Sequence, residues 1–122
     1  MPVKSLTSSV LRWPDRATVD GAVRRWADEA VRRRCDVWRI GYFGSYARGD
    51  WGVGSDVDLV IVVASTNLPF ERRALEWDTA GLPVPADLLV YSRAEWESMA
   101  GKSRFHRTVT REAVWDYQSE AA

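Results

Sequence analysis

Gly44-Ser45-Tyr46-Ala47-Arg48-Gly49, a short loop, then Ser55-Asp56-Val57-Asp58-Leu59 is the stretch that decides the fold. It joins a Gly-Ser turn and a downstream arginine to two carboxylates set two residues apart. The carboxylates head an apolar run, Leu59-Val60-Ile61-Val62-Val63, that reads as a buried strand. Side chains alternate along a strand, so Asp56 and Asp58 are expected to project from one side. Two carboxylates side by side repel, and burial raises the cost. A divalent cation between them removes both difficulties. Mg²⁺ suits such a site, because it takes hard oxygen ligands and commonly binds one or two carboxylates plus substrate phosphates.

The other half of the stretch supplies an anion-binding end. Gly44 lets the backbone turn sharply and approach a ligand closely. Ser45 either caps the helix that follows or offers its hydroxyl and N–H to an anion, and a helix N-terminus attracts negative charge. Arg48, three residues on, returns to the same helical face. A Gly-Ser turn alone is a common helix start, and an Asp-x-Asp pair alone is common in loops. Together, in this order and ahead of an apolar strand, they describe a nucleoside triphosphate site.

With those residues quoted, the chain resembles the DNA polymerase β-like nucleotidyltransferase superfamily. Within it the chain looks most like the minimal nucleotidyltransferases (MNT), the antitoxin partners of HEPN proteins in toxin–antitoxin pairs. The resemblance covers about Val37 to Tyr91. It implies an α/β fold: a small mixed sheet of three to five strands backed by helices, with helices mainly on one face and the carboxylates on the other, open side. It implies that Asp87, an acid at the head of a later apolar strand, is a third carboxylate beside Asp56 and Asp58. Taken alone, Asp87 reads as a strand-edge acid next to Pro85.

The implied reaction is nucleotidyl transfer. Asp56 and Asp58 would hold two Mg²⁺ ions with help from Asp87, which would also take the acceptor's proton. Gly44, Ser45 and Arg48 would hold the β- and γ-phosphates. The MNT resemblance implies ATP as donor and a tyrosine of a cognate HEPN ribonuclease toxin as acceptor, silenced by AMPylation within a hetero-oligomer. Two alternatives stay open: a small-molecule nucleotidyltransferase of the aminoglycoside type working with a partner subunit, and a non-catalytic antitoxin that acts by binding.

Composition sets the frame. The chain has 122 residues, 46% hydrophobic and 28% charged, and reads as one domain over 1–122. Its net charge is zero, so no strong direct nucleic-acid binding is expected. No apolar run approaches a membrane span and no signal peptide is visible, so a cytoplasmic location is expected. The single Cys35 reads as a small apolar residue near a helix end. Seven tryptophans are many for this length, and some are expected at a protein–protein face.

Around the central stretch, residues 1–13 read as an irregular arm. Pro14 and Asp15 announce an amphipathic helix ending near Arg34, with Val19, Ala22, Val23, Trp26, Ala27, Ala30 and Val31 as its apolar stripe. Val37 to Phe43 reads as a strand, Ser45 to Asp50 as a short helix, and Ser55 to Val63 as the second strand. Phe70 to Asp78 reads as a helix burying Phe70, Ala74 and Trp77, and Pro85 to Tyr91 as a third strand. Ser92 and Glu95 form a capping box for a helix reaching Ala100. Ser103 to Tyr117 reads as one last helix. His106 reads as a surface or packing residue.

Overall fold

The computed structural model describes residues 13–119. The expected arm lies outside them except for Trp13, whose indole Nε1 donates to the Ser55 carbonyl at 3.2 Å. The first helix, α1, spans Arg16–Arg33. Asp15 caps it, its carboxylate accepting the Thr18 N–H at 2.9 Å. Val19, Ala22, Val23 and Ala27 form its buried stripe, as the spacing requires. Cys35, just beyond the helix, is exposed rather than packed. No helix among the described residues is long and apolar enough to cross a membrane.

Next come β1 (Val37–Phe43), the single-turn helix α2 (Ser45–Arg48) and β2 (Val57–Val63). A short helix α3 (Phe70–Arg73) runs on into a 3₁₀ turn, Ala74–Glu76. Strand β3 (Ala86–Ser92) leads into α4 (Arg93–Met99), then α5 (Arg104–Glu112) and β4 (Val114–Gln118). The four strands form one mixed sheet in the order β3-β2-β1-β4. β1 pairs antiparallel with both β2 and β4, whereas β2 and β3 run parallel.

Both faces of the sheet carry helices, α1 on one and α4 and α5 on the other, where the expectation put them mainly on one face. Val57, Leu59, Ile61 and Val63 of β2 pack with Tyr42, Ile40 and Val90 under α1. Val60 and Val62 point the other way, against Trp96 of α4 and Val109 of α5. That second layer is aromatic, with Phe43, Tyr91, Phe105 and Trp115 around its rim. Of the seven tryptophans, Trp77 and Trp96 are buried and the other five are half-buried. His106 belongs to the same layer, its ring centroid 4.4 Å from that of Trp96.

Two other expectations change. The helix expected over Phe70 to Asp78 is short, with Trp77 buried but Phe70 exposed. The helix expected from Ser103 to Tyr117 stops at Glu112, and the chain enters an edge strand. Strand β4 comes so close to β1 that a side chain at Gly41 would strike the Val114 carbonyl and the Trp115 ring, each 2.7 Å from a Cβ placed there. Behind β4, the Asp116 carboxyl is fully buried (0% exposed) beside Asp20 of α1. Asp20 accepts from the Tyr42 hydroxyl at 3.0 Å and from Arg24 Nε at 3.1 Å, while Arg24 Nε stands 3.8 Å from Asp116.

Arg73 ties the crossover between β2 and β3 to the sheet. Its buried guanidinium donates to the carbonyls of Leu68 (2.9 Å) and Val90 (3.0 Å) and to both Glu95 oxygens (2.7 and 3.0 Å). Glu95 is also the capping-box residue read from sequence, accepting the Ser92 N–H at 2.8 Å. Hydrogen bonds from Arg73 hold its carboxyl down at about 2. Arg73→Ala should therefore cost about 3 kcal/mol, because it strands buried carbonyls as well as a carboxylate. Urea unfolding at pH 7 measures it, and a loss under 1 kcal/mol would return Arg73 to the class of surface ion pairs.

Candidate active site

Parallel pairing of β2 and β3 sets Asp58 opposite Asp87, and antiparallel pairing of β1 sets Phe43 on the other flank of Asp58. Paired residues share a face, so both carboxylates emerge on the side of Val60 and Val62, beyond the end of the aromatic layer. Asp56 lies just before β2, exposed and outside the ladder. It is near enough to act on Asp58. Burial first, then the charges of Asp87, Asp56 and Glu112, raise the Asp58 carboxyl above its ordinary value, against the pull of Arg48.

Gly44 joins the two halves of the site. It leaves β1 at φ 78°, a conformation suited to glycine. A Cβ there would overlap the Asp58 carboxylate. Ser45, half-buried, opens α2, and Arg48 closes it. The helix α2 is a single turn of four residues, a little shorter than the Ser45 to Asp50 read from the sequence. Arg48 reaches Asp50 at 3.1 Å and Glu112 at 3.3 Å.

Glu112 is the residue that sequence reasoning missed. Its Oε1 accepts the Gly44 N–H at 2.8 Å and meets Arg48 Nη1. The β1–β4 register puts it there: Tyr42 pairs with Val114, so two steps further along, Glu112 comes opposite Gly44. The β-rich run Val114-Trp115-Asp116-Tyr117 was the signal that could have revealed it.

The donor set fits a hard divalent cation. It is made of carboxylate oxygens, and a cation would relieve the like-charge strain on Asp58. The acids are juxtaposed rather than converged: among the described residues, no three Asp, Glu, His or Cys side chains stand close enough to hold an ion as they are.

A nucleotidyltransferase domain model matches residues 24–115, from within α1 to β4. The chain belongs to the nucleotidyltransferase domain family. No curated protein sequence matches this nucleotidyltransferase. Among solved structures, it is similar to a nucleotidyltransferase from Sulfolobus solfataricus, with a TM-score of 0.63 at 18% identity over 86% of this chain and 85% of that one. It is also similar to a toxin–antitoxin with AMP-PNP (TM-score 0.53, 16% identity, 80% and 75% covered). A toxin–antitoxin MntA-HpeT mutant resembles it at a TM-score of 0.51 and 13% identity, over the same shares. At these identities the likeness is one of fold.

Proposed function

We propose that this nucleotidyltransferase moves AMP from ATP to a tyrosine hydroxyl of a HEPN-type ribonuclease toxin and so acts as its antitoxin. The observation that carries the reading is the contact of Gly44 with Asp58, which brings a phosphate-binding turn against an acid paired in register with Asp87. The two toxin–antitoxin structures that share its fold, one of them with AMP-PNP, support the choice of donor and partner.

In this reading Asp56 and Asp58 would hold two Mg²⁺ ions with help from Asp87. Bound there, the ions would neutralise the triphosphate and acidify the acceptor hydroxyl. The Gly44 N–H, the Ser45 hydroxyl and the Arg48 guanidinium hold the β- and γ-phosphates and aim the α-phosphorus at the acceptor. The tyrosine oxygen forms the new bond to the α-phosphorus as the α–β anhydride bond breaks. Pyrophosphate leaves with that bond's electron pair, and Asp87 takes the tyrosine proton. The added nucleotide brings bulk and negative charge to the toxin, which repels RNA phosphates from its active site.

The test is the intact mass of a HEPN protein after incubation with this enzyme and MgATP. A gain of one or more AMP units, mapped to tyrosine, is expected. No gain with toxicity still suppressed would make contact alone the mode of action. Transfer to a small hydroxylated compound instead would move the acceptor to the aminoglycoside class.

A further inference from the structure

Glu112 satisfies the donors that the phosphates would need. One of its oxygens takes both the Gly44 N–H (2.8 Å) and Arg48 Nη1 (3.3 Å), the double contact that a phosphate oxygen makes with an N–H and a guanidinium. The side chain is 17% exposed, so it is set into the site and not lying over it. The placement is costly in two ways. Glu112 is the last residue of α5, where carbonyl ends disfavour negative charge, and it adds a third acid around Asp58, after Asp87 and Asp56. The hydrogen bonds from Gly44 and Arg48 compensate. Continued past Tyr42–Val114, the β1–β4 register brings the backbone of Glu112 opposite Gly44.

We infer that Glu112 is an internal competitor of the nucleotide: its carboxylate fills the phosphate cradle and must swing out before a triphosphate can enter, which sets the affinity of the free enzyme for its donor. This rests on the reading of the site as a triphosphate site. It also suggests how nucleotide binding is coupled to the sheet edge, since Glu112 and the pairing of β4 lie one residue apart.

The test is calorimetric titration of wild type, Glu112→Gln and Glu112→Asp with MgATP and, separately, with magnesium tripolyphosphate, alongside hydrogen exchange at the Gly44 amide. Gln removes the charge at constant shape. Asp keeps the charge but is one methylene too short to span the gap. Both variants are expected to bind MgATP about tenfold more tightly and to exchange the Gly44 amide faster. If only Gln tightens binding, general repulsion explains it and the competitor is overturned. Affinities equal to wild type in both variants would overturn it as well. Tripolyphosphate binding that follows the expected order without any MgATP binding would keep the competitor and remove ATP as the donor. If no protein bound either probe, both readings would fall.

Discussion

Asp58→Asn is expected to slow nucleotidyl transfer about a thousandfold or more while leaving the fold intact. Asp58 is the acid with the most neighbours in the site: Asp87 in register, Asp56 two residues back, and Gly44 against its carboxylate. An amide at that position keeps the shape and removes the charge that would hold a cation. The sign of the stability change differs from that of an ordinary core mutation. The folded-state pKa of Asp58 is raised, so its charged form opposes folding above the unfolded value of 3.8. At pH 7 without metal, the variant should melt at the same temperature or higher, and the difference should shrink as pH falls toward the ordinary carboxylate range. Transfer assays with radiolabelled ATP and melting curves at pH 4 and pH 7 check the two halves separately. Transfer within tenfold of wild type would remove Asp58 from the chemistry. A large drop in melting temperature would make it a structural residue.

Asp116→Asn is expected to have the largest pH-dependent effect on stability. Burial, helped by the charge of Asp20, pushes the Asp116 carboxyl up to about 7. Arg24 opposes this only in part, from 3.8 Å, and Asp28 of α1 adds repulsion. Well below pH 3.8 the carboxyl is neutral in the folded and unfolded chain alike and nothing is lost. As pH rises from 3.8 toward 7, the unfolded chain ionises first and folding loses ground. A shift of that size corresponds to about 4 kcal/mol at full ionisation. The stability of the Asn variant relative to wild type should therefore grow by about that amount between pH 4 and pH 8.5. Urea unfolding across the range measures it, and a flat difference would mean that Asp116 is ionised and well solvated at pH 7.

Local signals were legible where the chain carries its own instructions. Val37–Phe43 reads directly as a strand because its apolar run is bounded by the helix end at Arg34 and by Gly44. Asp15 and Ser92 announce their helices because caps are local chemistry. Of the residues the motif singled out, Asp58 and Asp87 pair in register and Gly44 lies against the Asp58 carboxylate, whereas Asp56 falls just outside the ladder. What the sequence hid depends on tertiary pairing. Phe105, Val109 and Ala113 keep a helical period with no glycine or proline to stop it, so α5 seemed to continue through Tyr117. Only the unpaired edge of β1 draws Val114–Gln118 into the sheet, and Glu112 reaches the site as a result. The short Phe70–Arg73 helix failed in the same way, because the contacts of Arg73 with Leu68, Val90 and Glu95 outweigh the apolar spacing read there.

The parallel pairing of β2 and β3 bears on when the site comes into being. A hairpin would have joined the two strands with a few residues but set the heads of the strands at opposite ends. Running them side by side puts Asp58 and Asp87 together, and requires the chain from 64 to 85 to cross over first. Closing a connection of that length is slower than folding a turn. The phosphate turn after β1 forms from neighbours in sequence, whereas the acid pair waits for the crossover. As the chain folds, the Gly-Ser turn after β1 is set early by residues close in sequence, and the Asp58–Asp87 pair across β2 and β3 is set late.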